Sequence, residues 1–384
     1  MAEQPAVARL CAAEFAAHMG AQPQWVSWAP GRINLIGGHT DYNGGLALPA
    51  AINRWVSVAL RPRTDQKIRV RSLDLGGEIT GFIDALPEPG SSWTHFVVGG
   101  LRVFGAEHAL PCGFDAVFSG DVPDGAGLSS SAALTIAWMT VLRAWTGVNV
   151  DDLTLTRYAQ RVEHDFLGVK CGLLDQIGSL MARPKQLMLV DFRDVSVKPV
   201  DSGLRDVSWV VLHSGVRREL AGSPYLDRVQ QCQDGLHEVQ SLYPDILTIR
   251  EVELSMVQGP SVGFRRLRHV ITENARVMEA VSAVKSGDAS RLGELISAAH
   301  VSLRDDYEVS CPQLDLLVQL AQAQPECFGA RMVGGGFGGC TLNLVCADAA
   351  PSFIDSVLLN YRSHVSDVPR AFTFHLVGGA SVTR

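Results

Sequence analysis

Pro30-Gly31-Arg32-Ile33-Asn34-Leu35-Ile36-Gly37-Gly38-His39-Thr40-Asp41-Tyr42-Asn43-Gly44-Gly45 is the stretch around which this chain is organised. A short apolar run, Ile33 to Ile36, is bracketed by glycines, with an arginine at its start and a histidine and an aspartate at its end. Glycine lets a backbone turn sharply or approach another group closely. A cation, an imidazole and a carboxylate on one glycine-rich bend read either as a site or as a turn carrying solvated polar residues.

The 384 residues are 47% hydrophobic and 19% charged, which suits a large core and about two domains. A net charge of -7 argues against a general nucleic-acid binder, because phosphate affinity needs concentrated Lys and Arg. It leaves room for a local basic pocket. The 8 cysteines (Cys11, Cys112, Cys171, Cys232, Cys311, Cys327, Cys340 and Cys346) include no C-x-x-C pair, which disfavours a zinc ribbon. They read as reduced thiols. Glu14 interrupts the first apolar segment, and no apolar run nears the ~18 residues of a membrane span. The expectation is a soluble cytoplasmic protein with no membrane and no nucleic-acid partner.

Outward from the opening stretch, residues 5–19 have helical spacing. Trp25 to Ala29, Leu46 to Ile52, Trp55 to Leu60, Lys67 to Val70 and Glu78 to Ile83 read as strands, so the first 90 residues are β-rich. Trp93 to Phe104 reads as a helix capped by Ser91 or Ser92, and Trp93 and Phe96 share one of its faces as core packing.

Phe114 to Gly120 reads as a strand. It is followed by Asp121-Val122-Pro123-Asp124-Gly125-Ala126-Gly127-Leu128-Ser129-Ser130-Ser131, then by a helical run from Ala132 to Trp145. Strand, glycine–serine loop, helix is the layout of an anion cradle, since free N–H groups and the positive end of the helix dipole both face the loop. A plain serine N-cap is the alternative, although it needs only one serine. No G-K-[ST] occurs, so the loop is not a Walker A motif.

Asp151 to Phe166 reads as a helix holding Glu163 and His164. Asp175 follows, between Leu174 and Ile177, where an aspartate is paired, perturbed or a helix cap. Leu187 to Val190 and Ser208 to Leu212 read as strands, with a loose boundary near residues 195–206. Helices are expected over 225–242, 265–285, 289–303 and 311–323. Gly334-x-Gly336-x-x-Gly339 formally fits a dinucleotide fingerprint, but Cys340 to Val345 reads as a strand and not as the helix that fingerprint opens. A glycine run there suggests backbone that closes over a ligand or against another loop.

Three motifs in this order, Gly31 to Tyr42, Pro123 to Ser131 and Gly334 to Gly339, resemble the GHMP small-molecule kinases, and among them the galactokinase family. Supporting segments are Cys171 to Gln176, Ser223-Pro224-Tyr225 with Arg228 and Cys232, and Ser302 to Pro312. The resemblance implies an α+β fold of mixed sheets and packed helices, with the active site between two domains, 1–200 and 201–384. It implies ATP and Mg²⁺, with the phosphates on Gly125, Gly127, Ser129, Ser130 and Ser131, the metal on Ser131 and Glu163, and adenine beside Trp93 and Phe96. Arg32 and Asp175 match the catalytic pair. Gly38, His39, Asp41, Gly172 and Tyr225 match the sugar contacts. A monomer that phosphorylates the C1 hydroxyl of galactose is expected.

One position departs from that pattern. The family carries a glutamate, which contacts the sugar near C6, where this chain has Gly38. Its loss removes an acceptor and a negative charge, and it adds space. A 1-kinase for another galacto-configured sugar, galacturonate above all, is therefore the alternative. A catalytically inactive galactose- and ATP-sensing regulator is a more distant one.

Overall fold

The computed structural model describes residues 3–90, 93–123, 125–216, 224–365 and 370–384. The proposed caps Ser91 and Ser92, and the motif residues Asp124 and Ser223, lie outside the described residues. Helix α1 (Ala6–Met19) precedes strands β1 (Trp25–Asn34), β2 (Leu46–Ala47), β3 (Pro49–Pro62), β4 (Lys67–Ser72) and β5 (Glu78–Phe82). Helix α2 (Thr94–Glu107), strand β6 (Phe114–Gly120) and helices α3 (Ser130–Thr146), α4 (Asp152–Leu167) and α5 (Leu174–Leu180) follow. Strands β7 (Gln186–Asp191), β8 (Ser196–Asp201) and β9 (Val207–His213) lead to helices α6 (Pro224–Leu242), α7 (Val262–Ser286), α8 (Ala289–Asp305) and α9 (Pro312–Gln322). The last described elements are β10 (Cys327–Val333), β11 (Cys340–Cys346), α10 (Ala350–Arg362), β12 (Arg370–Phe374) and β13 (Ser381–Thr383).

The strands form three sheets. The largest runs β13-β1-β3-β6-β4-β5 and is antiparallel except where β4 lies beside β6. The others run β10-β11-β9-β12 and β2-β7-β8. One expectation needs correcting. The separate strands expected over 46–52 and 55–60 are mostly one, because β3 continues unbroken from Pro49 to Pro62. Strand β8 lies within the region 195–206 and pairs with β7 through a short turn. The chain also returns late to its first sheet, with Val26 of β1 opposite Thr383 of β13.

Strand β1 is buried almost throughout because both its faces are covered. On one side Ala8, Cys11 and Phe15 of α1 pack with Val26 and Trp28. On the other lies α3, whose residues from Ala132 to Leu142 are all buried. Ser27 Oγ donates to the Ala137 carbonyl at 2.8 Å, which satisfies a hydroxyl between strand and helix.

Two features of this packing shape the cleft. The β1–β3 register slips between Pro30 and Arg32, a bulge that kinks the strand pair beside the serine loop before pairing resumes from Arg32 opposite Ala51 to Asn34 opposite Pro49. There the Arg32 N–H donates to the Leu128 carbonyl at 3.0 Å, and a Cβ on Gly31 would come within 2.9 Å of that oxygen. The glycine run joins antiparallel β10 and β11 as a hairpin loop, so no helix follows it. Phe337 donates its N–H to the Val309 carbonyl at 2.8 Å, and a Cβ on Gly127 would sit 3.1 Å from the Val333 carbonyl. The run thus closes against the serine loop and the connector after α8.

Candidate active site

One cleft gathers the end of β1, the serine loop, the heads of α5 and α6, and the β10–β11 hairpin. At its centre is an ion pair across 143 residues of sequence. Arg32 Nε and Nη2 donate to Asp175 Oδ1 at 2.8 and 2.5 Å, and Nη1 donates to the Gly127 carbonyl at 2.7 Å. Ser129 Oγ donates to Asp175 Oδ2. The guanidinium therefore ties the aspartate to the serine loop. Asp175 is paired, as its apolar surroundings require, and it sits in the first turn of α5 behind Leu173, which removes the helix-cap alternative. The Arg32 side chain is 7% exposed and that of Asp175 27%, so the carboxylate is the partner that faces the cleft.

Gly178, one turn beyond Asp175, makes this pairing possible. A Cβ there would meet Arg32 Cβ at 2.9 Å, so the arginine stem lies directly along α5. The sequence reading missed this residue, although its i+3 spacing from Asp175 was visible.

The serine loop is built for close approach. Gly125 and Gly127 have φ of 69° and 72°, and Ser129 has φ of 59° although it is not glycine. Ser129 stands just ahead of α3 but makes no side-chain cap bond, since its hydroxyl is turned to Asp175. The plain N-cap alternative is thereby lost. Ser129, Ser130 and Ser131 all line the cleft at the positive end of a 17-residue helix.

Glu163 of α4 is buried and lines the same cleft. Burial, then the nearby charge of Asp175, push its carboxyl up to about 7. Cys171 Sγ and Gln176 Nε2 each donate to it at 3.3 Å, and among the described residues no cation forms a direct ion pair with it, Arg32 acting only through its charge. A buried carboxylate without a direct ion-pair partner among the described residues, beside the Ser131 hydroxyl, is a hard oxygen donor set that fits Mg²⁺. That ion commonly takes one or two carboxylates and completes its shell with water and substrate phosphate. Among the described residues no cluster of three or more His, Cys, Asp or Glu could hold a metal alone.

The opposite end of the cleft is aromatic and acidic. Asp41 is pushed up to about 6, first by burial and then by Asp175. Gly172 does not line the cleft but packs behind Asp41, and a Cβ there would fall 2.1 Å from Asp41 Oδ2. His39 adopts φ of 60°, and its ring lies 4.8 Å from that of Tyr307 and 5.6 Å from that of Tyr225. His39 Nδ1 hydrogen-bonds the Tyr42 hydroxyl at 2.7 Å, which in turn meets the Tyr307 hydroxyl at 2.9 Å. Tyr225 lines the cleft from the first turn of α6.

Gly38 closes this end. Glu273 of α7, fully buried, accepts the N–H groups of Gly37 and Gly38 at 2.8 and 3.1 Å. Burial alone would raise its pKa, but Arg276, His269 and Arg331 outweigh that and hold it at about 2. A Cβ on Gly38 would lie 2.9 Å from Arg331 Nη2. Trp93 and Phe96 stand outside this cleft. Trp93 packs edge-on against Phe118 at 5.1 Å and donates its indole N–H to the Gly76 carbonyl at 3.1 Å, while Phe96 packs on the main core.

Comparison with known proteins agrees with this geometry. The galactokinase galactose-binding signature matches residues 13–62, the GHMP kinase N-terminal domain residues 95–183 and the GHMP kinase C-terminal domain residues 280–361. The chain is 39% identical over 347 residues to a galactokinase of Roseiflexus sp. (strain RS-1), covering 88% of each. It is also 39% identical over 355 residues to one from Chloroflexus aurantiacus, covering 91% of each. The chain belongs to the galactokinase family of GHMP kinases.

The crystal structure of Lactococcus lactis galactokinase complexed with galactose superposes with a TM-score of 0.91 at 32% identity, over 96% of this chain and 98% of that one. Methanococcus jannaschii mevalonate kinase, at 16% identity and a TM-score of 0.67, shares the fold. Membership makes the chain a sugar kinase of α+β GHMP architecture. Tyr42, Tyr307, Glu273 and Arg331 were not assigned from sequence. The tyrosines lie within motifs that carry the family resemblance, whereas Arg331 gave one signal only, a charge inside the otherwise apolar β10, and Glu273 gave none, since α7 carries charges along its length. Among the described residues no helix is long and apolar enough to cross a membrane, and all eight cysteines are free thiols.

Proposed function

We propose that this chain transfers the γ-phosphoryl group of ATP to the C1 hydroxyl of galactose. The observation that carries the reading is the single hydrogen-bonded set of Asp175, Arg32, Ser129 and the Gly127 carbonyl at the head of α3. It joins a carboxylate acceptor to a phosphate cradle.

Phosphoryl transfer needs positioning and charge neutralisation more than covalent chemistry. In this reading the sugar lies against His39, Asp41 and Tyr225, with Gly172 allowing Asp41 its position. Its O1 approaches the exposed face of Asp175, which takes the O1 proton as the new P–O bond forms. Both Asp175 oxygens already accept hydrogen bonds, so the carboxylate is held correctly turned toward the cleft. Arg32 serves as a fixed cation beside the transferring oxygens. The serine loop and the start of α3 receive the polyphosphate. Glu163 and Ser131 are the groups that would hold Mg²⁺, which when bound neutralises phosphate charge. Adenine is assigned beside Trp93 and Phe96, of which Trp93 packs on Phe118 of β6, the strand that leads into the loop.

Two units, 1–200 and 201–384, form the cleft in this reading, with Ser381–Thr383 returning to the first. In this reading the chain acts as a monomer. The free thiols suit the reducing cytoplasm. The test is an ADP-release assay with MgATP and galactose, with the product followed by phosphorus NMR. Galactose-dependent ADP release with phosphate at C1 is expected, and ATP turnover that ignores added sugar would overturn the reading.

A further inference from the structure

We propose that the sugar end of this cleft accepts a carboxylate, so that a galacto-configured hexuronate binds at least as tightly as galactose. The inference rests on the reading of this cleft as the sugar site, and it concerns the substituent that faces Gly38.

Arg331 is 1% exposed yet lines the cleft. Its Nε donates to the Met332 carbonyl at 2.8 Å and its Nη1 to the Leu35 carbonyl at 3.1 Å. Nη2 has no partner among the described residues, and it is the atom 2.9 Å from where a side chain at position 38 would begin. A buried guanidinium ordinarily has its charge answered and its donors used. Here two guanidiniums, Arg331 and Arg276, share one carboxylate, Glu273, at 3.8 and 2.7 Å. That carboxylate also holds the Gly37 and Gly38 N–H groups.

The neighbouring imidazoles add no charge of either sign. Burial lowers the pKa of both His269 and His300, so both are neutral near pH 7. Burial first, then Arg276, also lower that of Arg331, as expected of a cation that is incompletely compensated.

The local count is two positive charges against one negative, with an open donor directed at a residue that has no side chain. An incoming carboxylate supplies both the missing charge and the missing acceptor. A hexuronate does this without losing the C1 hydroxyl, because its carboxylate is the exocyclic C6. A glutamate at position 38 would occupy the same donor and repel the same ligand, so glycine here acts on specificity as well as space.

The experiment is isothermal titration of the full-length chain with D-galacturonate and with D-galactose, in wild type, Gly38→Glu and Gly38→Gln. Glutamine has the length of glutamate without its charge and meets the same Arg331 contact. Wild type is expected to bind galacturonate at least as tightly as galactose. Gly38→Glu is expected to weaken galacturonate at least tenfold more than Gly38→Gln does. Weaker galacturonate than galactose binding in wild type, or equal losses in the two variants, would overturn the proposal. The galactose ADP-release assay runs beside it. Galacturonate binding with no ADP release from any sugar refutes the kinase reading alone, whereas galactose turnover without galacturonate binding refutes the carboxylate site alone.

Discussion

Glu163→Gln should raise the stability of the ligand-free protein while removing its response to Mg²⁺. The wild-type carboxyl is pushed from 4.5 to about 7, chiefly by burial. An unfolded glutamate titrates near 4.3. Between those values the folded chain holds a proton that the unfolded chain has released, so stability falls as pH rises through the window. Above it, ionised Glu163 costs on the order of 3 kcal/mol, at about 1.4 kcal/mol per pH unit. Glutamine keeps the shape and removes the titration. At pH 8 the variant should therefore melt higher by up to about 4 °C, given the unfolding entropy of a chain this long. Near pH 4 the two should coincide. Added MgATP should raise the wild-type melting temperature and should raise that of the variant much less, because the oxygen that answers the metal charge is gone. Scanning calorimetry from pH 4 to 8, with and without MgATP, measures both effects. A pH-independent difference, or an equal MgATP shift in both proteins, would refute the reasoning.

Two further substitutions test the glycines that shape the site. Gly172→Ala puts a Cβ 2.1 Å from Asp41 Oδ2, so KM for the sugar should rise at least tenfold while KM for ATP changes little; an unchanged sugar KM would contradict the role given to Asp41. Gly178→Ala presses on the Arg32 stem at 2.9 Å, which should cost roughly 1–3 kcal/mol by overpacking and lower kcat at least tenfold; chemical denaturation and steady-state kinetics check the two, and normal kcat would contradict the positioning argument.

Much of this arrangement is legible in the sequence because its parts are local. Strand β6, the serine loop and α3 follow one another directly, and each carries its own signal: alternation, spaced glycines, an Ala/Leu-rich run. The β-rich start is equally plain. Other features are not local. The short α5 gives less than two turns of pattern, and its boundary is obscured by Asp175 and Gly178, which serve Arg32 and not the helix. Strand β10 carries Arg331, whose fully buried charge contradicts the usual strand pattern because it serves the cleft. Gly38 is the sharpest case. Its departure from the family pattern can be read in sequence, but the guanidinium facing it comes from almost 300 residues away, through the contact of β10 with the end of β1.

The central claim is that Asp175, held by Arg32 and Ser129, receives the sugar O1 proton during phosphoryl transfer. Asp175→Asn keeps the volume and the Ser129 contact but removes the basic oxygen. Steady-state kinetics with MgATP and galactose, together with galactose titration and a melting curve for the same variant, test it most directly. The account predicts a fall in kcat of about 10²–10⁴-fold with galactose affinity and melting temperature little changed. A folded variant that turns over galactose within a few-fold of wild type would contradict it.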